Sequence, residues 1–198
     1  MSEPLQEDLA EASADRPREA VGGEYVFEEV VSRFETPLLR YLGRVLGGGG
    51  TEEAEDLVQE AFLRLHRQVT RRGAESIRNM QGWLFQVAHN LAMDAIRKRE
   101  RRERGKQKAA ESGTLEADPP ETVDALGEMI HQEACQKALA ELDRLPQPQR
   151  QAIFLRVIQE MTLREVGEVT GLTVGNAAYR IDQGLKTLAR RLKSEGMI

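Results

Sequence analysis

The chain lacks the cysteine pairs of a disulfide framework and the long apolar runs of a membrane span. Its 198 residues include one cysteine, Cys135, so an intramolecular disulfide framework is excluded and a reducing cytoplasm is the expected compartment. No apolar run approaches the roughly 18 residues of a transmembrane helix. The acidic first 20 residues lack the apolar stretch of a secretory signal. Aromatic residues make up 5% and charged residues 31%, which is typical of a helical, water-exposed protein.

The net charge of −5 hides a segregation of charge along the chain. Residues 1–30 hold nine acidic side chains against Arg16 and Arg18, whereas residues 97–108 hold eight basic side chains against Glu100 and Glu103. Phosphate groups respond to the local charge and not to the total. The basic stretch is therefore a candidate nucleic-acid contact, the alternative being an ordinary solvated helix end.

The clearest pattern is a pair of helices joined by a tight turn near the C-terminus. Thr162 and Glu165 form a capping box that predicts a helix from Leu163, and Gly171 predicts a left-handed end to that helix. Thr173 predicts the cap of a second helix. Its apolar stripe is Val174, Ala177, Ile181, Leu185, Leu188 and Leu192, and its polar face carries Asn176, Tyr179, Gln183, Lys186 and Arg190, with Arg180 on the flank. The pattern predicts a helix-turn-helix whose second helix enters the DNA major groove, an ordinary helical hairpin being the alternative.

The whole chain is predicted to be all-α, with two small helical domains joined by a flexible acidic linker. Residues 1–23 form an acidic disordered tail, 24–104 the first domain, 105–130 the linker and 131–198 the second domain, which contains the helix-turn-helix. The first helix, after Tyr25, should be interrupted or kinked near Pro37. Pro146 and Pro148 should break the chain before a helix over 149–159, which should bury Ile153, Phe154, Val157 and Ile158.

Two helices of the first domain carry the other functional candidates. The helix after Thr51 has a buried face of Leu57, Val58, Ala61, Phe62 and Leu65, while Asp56, Gln59, Glu60 and Leu63 share another side. Considered alone, that side is a solvated acidic face. A helix from Gly82 has a core stripe of Leu84, Val87, Ala88, Leu91, Ala92, Ala95 and Ile96, and it continues into the basic stretch. Trp83 is either a core residue or a stacking platform for a base.

Three stretches in this order resemble the bacterial RNA polymerase sigma factors of the extracytoplasmic-function type. They are residues 56–62 (DLVQEAF), residues 82–98, and residues 142–192 with their Leu-Pro step and Arg150. The resemblance implies an alternative sigma factor, not an enzyme and without cofactor or metal, that binds core RNA polymerase, melts specific promoters and initiates transcription of a stress or signal-response regulon. The implied partners are the clamp of the largest polymerase subunit, the flap of the second-largest subunit, promoter DNA and, as for many family members, an anti-sigma factor.

The resemblance also assigns three sets of residues. The polymerase-binding set is Asp56, Gln59, Glu60 and Leu63, whose acidic groups complement a basic clamp. The minus-ten set, which would border a pocket for a flipped base and the path of the melted strand, is Ser76, Asn79, Trp83, Asn90, Asp94, Arg97, Lys98 and Arg101. The minus-thirty-five set is Arg164, Thr173, Asn176, Tyr179, Arg180, Gln183 and Lys186. The chain departs from the family pattern at His89, Ala178, Tyr179 and Gln183, and the loss of two cations predicts weaker phosphate attraction.

Three other classes of protein are alternatives. A stand-alone helix-turn-helix regulator needs a dimer interface, and the sequence shows no spare apolar face for one. A metal-dependent hydrolase would use Asp56 and Glu60 with His66 or His89, but no HExxH motif or cysteine pair is present. A pure interaction scaffold leaves the arginine cluster unexplained.

Overall fold

A computed structural model describes residues 27–47, 51–107 and 129–194, and every regular element in these ranges is helical. The α-helices are α1 (Phe27–Leu46), α2 (Thr51–Arg72), α3 (Met80–Gln107), α4 (Met129–Asp143), α5 (Gln147–Ile153), α6 (Leu163–Thr170) and α7 (Val174–Ser194). A 3₁₀ turn spans Ala74–Ser76 and a π-helical turn spans Phe154–Ile158. The all-α prediction is confirmed, whereas the predicted tail over 1–23 and most of the predicted linker lie outside the described residues. None of the described helices is long and apolar enough to cross a membrane.

Helices α1, α2 and α3 pack against one another and form the first helical group. Their core includes Leu38, Tyr41, Leu65, Leu84 and Phe85, all of which are fully buried. Helix α1 is continuous through Pro37, so the predicted interruption there is wrong. Burial of Leu38 and Tyr41 directly after the proline holds this part of the chain helical, because tertiary packing supplies most helical stability in proteins.

Helices α4 to α7 form the second helical group, in which α7 packs against α4, α5 and α6. Pro148 does not break the chain, because it lies in the first turn of α5, where backbone N–H groups have no helical partner to lose. Val157 and Ile158 were predicted to be buried, but they are 51% and 44% exposed. They lie in the π-helical turn, where i→i+5 bonding disrupts the 3.6-residue period on which the prediction relied.

The buried face of α7 also differs from the predicted stripe. Ala177 and Ile181 are buried as expected, but Val174 is 49% exposed and Leu185 is 40% exposed. Gly184 takes the contact instead: a Cβ atom there would lie 2.5 Å from Cδ1 of Ile153. Helix α7 is thus turned so that its glycine, and not Leu185, faces α5.

The capping residues and the turn of the predicted helix-turn-helix are confirmed. Thr162 Oγ1 accepts a hydrogen bond from the backbone N–H of Glu165, and Glu165 Oε2 accepts one from the N–H of Thr162 at 2.7 Å, which completes the capping box. Gly171 ends α6 in the left-handed region with φ 71°. The hydroxyl of Thr173 accepts from the N–H of Asn176 at 3.3 Å, as a cap of α7 should.

The two helical groups also pack against each other. Helix α6 lies on α3, and α5 lies against the C-terminal end of α1. The rings of Tyr41 and Phe154 meet across this boundary with their centroids 5.7 Å apart, and both side chains are almost fully buried. Where the sequence suggested two units on a tether, the structure has one continuous core.

Candidate nucleic-acid interface

The polymerase-binding set lies along one face of α2. Asp56, Gln59 and Leu63 are exposed, and Leu63 presents an apolar side chain that is 50% accessible to solvent. Glu60 is already paired on its own helix, because Arg64 Nε donates to Glu60 Oε1 at 2.8 Å. This hydrogen bond, with the positive charges of Arg64 and Arg67, holds the pKa of Glu60 below its ordinary value. The carboxylate of Glu60 therefore stays ionised, and Arg64 offsets part of the negative charge of this face.

The turn before α3 positions Ser76 and Asn79, both of which are exposed. The Ser76 hydroxyl donates to the carbonyl of Gly73 at 2.8 Å, which tightens the 3₁₀ turn. Asn79 Oδ1 accepts from the N–H of Gly82 at 2.9 Å, so Asn79 is the N-terminal cap of α3. Trp83 follows on the first turn of the helix and is half-buried against the core, so it has both a packed edge and an accessible one.

The rest of the minus-ten set forms an exposed row along α3. Asn90, Asp94, Arg97, Lys98 and Arg101 are all exposed. Arg97 Nη1 lies 3.1 Å from Asp94 Oδ1, a surface ion pair of the kind that contributes little to stability. Such a pair can release its arginine to a phosphate group at small cost.

His89, which replaces the arginine usual in the family, does not belong to this row. It is 6% exposed, and its Nδ1 lies 2.8 Å from the hydroxyl of the fully buried Tyr41. Burial, with a smaller contribution from Arg97, lowers the pKa of His89 to about 4, so the imidazole is neutral at physiological pH. The predicted stripe missed His89 and Phe85 because α3 contacts helices on more than one side, which widens its buried face beyond a single stripe.

The minus-thirty-five set lies mainly on the outer face of α7. Thr173, Asn176, Tyr179 and Lys186 are exposed, whereas Arg180 and Gln183 are half-buried. Lys186 Nζ lies 2.9 Å from Asp182 Oδ2, and Gln183 Nε2 donates to the same carboxylate oxygen at 3.2 Å. Arg164, on α6, pairs in the same way with Glu168 at 3.1 Å. The set's positive charge is thus partly balanced by acidic neighbours.

The two sets predicted to bind DNA lie on different helical groups, and Asn79 makes a hydrogen bond to the opposite group. Its amide nitrogen donates to Glu165 Oε1 at 2.6 Å. No sequence pattern predicts this contact, since the two residues are 86 positions apart. Within the described ranges, no group of three or more His, Cys, Asp or Glu side chains is placed to hold a metal ion.

Two family models match the chain. Sigma-70 region 2 matches residues 30–102, and Sigma-70, region 4 matches residues 135–188. The chain is 28% identical over 178 residues to the ECF RNA polymerase sigma factor SigW of Bacillus subtilis (strain 168), a match that covers 87% of this chain and 91% of that protein. It is 30% identical over 148 residues to the ECF RNA polymerase sigma factor EcfG of Rhodopseudomonas palustris (strain TIE-1), with 75% and 76% covered.

Two solved structures share the fold. The first is the sigma factor RpoE from Bartonella quintana in complex with the anti-sigma factor NepR, with a TM-score of 0.62 and 22% identity over 84% of this chain and 96% of that one. The second is CnrH in complex with the cytosolic domain of CnrY, with a TM-score of 0.55 and 20% identity over 88% and 92%.

Proposed function

Because the chain belongs to the extracytoplasmic-function sigma factors of bacterial RNA polymerase, we propose that three of its surfaces divide the work of promoter recognition. It is an alternative sigma factor that binds core RNA polymerase and promoter DNA and directs promoter-specific initiation of transcription. Sigma factors are transcription regulators. We propose further that this chain has no catalytic activity and works in the cytoplasm. We also propose that it serves a stress or signal-response regulon.

The outer face of α2 is the proposed docking surface for the polymerase clamp. Leu63 supplies an exposed apolar contact, and Asp56 supplies an exposed negative charge that steers a basic partner toward it. Glu60 would have to exchange its intrahelical Arg64 for a cation of the clamp. That exchange costs little because the pair is exposed to solvent.

The N-terminal half of α3 and the turn before it are the proposed site for the melted minus-ten strand. Removing a base from the stack costs a few kcal/mol, which a pocket beside Asn79 and Trp83 would offset by hydrogen bonding and stacking. The exposed row along the helix then provides a track for the backbone. Arg97, Lys98 and Arg101 would neutralise successive phosphates.

Helix α7 is the proposed reader of the minus-thirty-five element. Asn176 and Tyr179 lie in its first two turns, which is the part of a recognition helix that contacts base edges. Because Lys186 and Arg164 are paired with acids, we expect weak sequence-independent attraction and a shallow dependence of duplex binding on salt. The domain would then depend on polymerase for much of its hold on the promoter.

The observation that carries the proposal is that the chain exposes three separate rows of the required chemistry, on α2, α3 and α7. In vitro run-off transcription tests it, with bacterial core polymerase, this protein and fragmented genomic DNA of the source bacterium, followed by sequencing of the transcript starts. New starts that share a two-part upstream motif support the proposal. No new starts and no co-elution with core polymerase would contradict it.

Substitutions on α2 and α7 test the role proposed for each surface, in the same assay. Asp56→Ala combined with Leu63→Ala should lower co-elution with core polymerase, whereas Glu55→Ala, on a neighbouring exposed face of α2, is the matched control. Asn176→Ala should relax the base preference in the upstream half of the motif without affecting co-elution. If Glu55→Ala lowers co-elution with core polymerase as much as the double substitution does, the assignment of this face of α2 to the clamp is wrong.

We also propose that the chain is a target of an anti-sigma factor, since the sigma factor RpoE from Bartonella quintana, whose fold it shares, was solved in complex with the anti-sigma factor NepR. The test is co-purification of the tagged chain from its own bacterium, followed by identification of bound proteins and by transcription with the purified partner added. A bound protein that suppresses the new starts supports this part of the proposal. Capture of core polymerase alone, under all growth conditions tried, counts against it.

A further inference from the structure

We propose that Asp182, together with Lys186, selects a C·G base pair in the minus-thirty-five element, with the carboxylate on cytosine and the ammonium group on guanine. Asp182 lies outside the set of residues that the family resemblance assigns, and its position follows from the way in which α7 packs. This role of Asp182 rests on the proposed function of α7 as the reader of that element.

The packing of α7 determines which of its residues face outward. Ala177 and Ile181 are buried, whereas Tyr179 is 65% exposed. The side chains of Asp182 and Lys186 are 50% and 66% exposed. Because residues three and four positions apart are neighbours on a helix surface, Tyr179, Asp182 and Lys186 form one outward row. This row carries an aromatic ring, a carboxylate and an ammonium group, in that order.

The outward row continues the part of α7 that is proposed to contact base edges. Asn176, Tyr179 and Asp182 follow one another at intervals of three residues. Three residues advance a helix by about 4.5 Å along its axis. Successive base pairs of a duplex are separated by about 3.4 Å, so neighbouring members of the row can address neighbouring base pairs. Asp182 therefore lies one step further along the groove than Tyr179.

The carboxylate of Asp182 is held in one orientation and keeps one oxygen for a ligand. Lys186 Nζ lies 2.9 Å from Asp182 Oδ2, and Gln183 Nε2 donates to the same oxygen at 3.2 Å. In the part of the chain that the structure describes, Oδ1 of Asp182 has no hydrogen-bond partner. The ammonium group offsets the charge of the carboxylate and so reduces its repulsion by DNA phosphates. Asp182 can thus approach DNA as half of a neutral pair.

The pair of Asp182 and Lys186 presents an acceptor and a donor at the spacing of a base-pair edge. In the major groove, cytosine offers its N4 amino group, and guanine offers O6 and N7 as acceptors. Cytosine N4 and guanine O6 are joined by a Watson–Crick hydrogen bond of roughly 2.9 Å. Asp182 Oδ2 and Lys186 Nζ are also 2.9 Å apart. The carboxylate can therefore face N4 while the ammonium group faces O6.

An A·T pair has the same central donor and acceptor, so the choice of base depends on the groups beside them. Adenine has its N7 acceptor next to N6, where it repels a carboxylate, whereas cytosine has only a C–H group beside N4. Guanine gives the ammonium group a second acceptor at N7, where thymine has a methyl group. The reversed pairs, G·C and T·A, bring the carboxylate against a base oxygen. The arrangement therefore favours C·G over the other three pairs.

Transcription from a promoter library tests this choice of base. The upstream element of one promoter found by run-off transcription is randomised, and each template carries a barcode within its transcript. Core polymerase with the full chain or a variant transcribes the library, and the transcripts are sequenced. With the parent chain, one position of the element should prefer C·G by about tenfold or more, which is the discrimination that a good pair of contacts to base edges provides.

Three substitutions and a control assign this preference to the pair. Asp182→Asn should change the preferred base from cytosine to adenine, because an amide can bond to both N6 and N7 of adenine. Lys186→Met should weaken the preference for C·G, and Lys186→Arg should restore it, since arginine also bonds to O6 and N7 of guanine. Glu168→Gln removes the carboxylate of a similar exposed ion pair, with Arg164 on α6. As the matched control, it should leave every base preference unchanged.

The possible results separate the role of Asp182 from that of α7. A parent preference that Asp182→Asn leaves unchanged, or a switch that Glu168→Gln also produces, would overturn the role of Asp182 and leave α7 as the reader. If the position that Asp182→Asn alters prefers a pair other than C·G in the parent, the base assignment is wrong. If the transcripts show no preference at any upstream position, the proposed reading function of α7 is wrong and the role of Asp182 falls with it.

Discussion

Acidification should destabilise this protein through a single buried imidazole. His89 is 6% exposed beside Tyr41, and burial lowers its pKa from 6.5 to about 4. The unfolded chain therefore binds a proton at pH values where the folded chain does not. The stability that His89 contributes in its neutral form is complete above pH of about 6.5 and is lost as the pH falls toward 4.

The size of the effect follows from the shift. At about 1.4 kcal/mol per pKa unit, a shift from 6.5 to about 4 corresponds to about 3 kcal/mol in the acid limit. Proton linkage then predicts that the free energy of unfolding falls by about 2 kcal/mol between pH of about 7 and pH of about 5. This is a large fraction of the roughly 5–15 kcal/mol that stabilises a typical domain.

Urea unfolding at several pH values, followed by tryptophan fluorescence, measures this change in the free energy of unfolding. Trp83 is a suitable probe because it is the only tryptophan and lies on the same helix as His89. His89→Gln keeps an oxygen that can accept from Tyr41 but cannot titrate, so its stability should fall less with pH than that of the parent. Burial raises the pKa of Asp143, which stabilises the folded state as pH falls, but this contribution is common to both proteins and cancels in their difference. His66→Gln, at an exposed position, is the control. If the parent and His89→Gln lose stability in parallel between these pH values, the reasoning is refuted.

Three further predictions concern the helix-turn-helix and the N-terminal tail. Gln183→Arg should tighten duplex binding and steepen its salt dependence, measured by titration at several salt concentrations; no change in either would mean that Gln183 does not face DNA. Gly167→Ala should cost about 1–3 kcal/mol in urea unfolding, because its Cβ would lie 2.7 Å from the carbonyl oxygen of Leu172, whereas Gly175→Ala, with nothing within 4 Å, should be neutral or stabilising. If the acidic tail folds back on the basic end of α3, deleting residues 1–23 should raise DNA affinity at low salt, and an unchanged affinity would end that hypothesis.

Local chemistry made the helix-turn-helix predictable from sequence. The capping box at Thr162 and Glu165, the left-handed Gly171 and the cap at Thr173 each depend on residues no more than three positions apart, so the sequence contains all the information that they need. The all-α class followed in the same way from periodicity. The assignment of functional residues required the family resemblance, because the acidic face of α2 is by itself indistinguishable from a solvated one.

What could not be predicted depends on contacts between distant segments. Leu185 fits the apolar stripe better than Gly184, but glycine lets α7 approach Ile153 closely, a preference that hydrophobicity does not record. His89 lies outside the predicted core stripe of its helix, and the partner that it meets in the core, Tyr41, is 48 positions earlier in the chain. The packing of α6 on α3 is non-local in the same sense, and no periodic pattern predicts it.

Most hydrogen bonds between the two helical groups end on main-chain oxygens. Gln81, Gln86, Gln147 and Arg150 all donate to carbonyl groups, which every amino acid carries. These hydrogen bonds therefore do not depend on which side chain the accepting residue carries. Residues at the acceptor positions can change as long as the helices end in the same place. A promoter-reading domain could thus change its sequence extensively, or be exchanged for that of a relative, and still seat itself against the same first group.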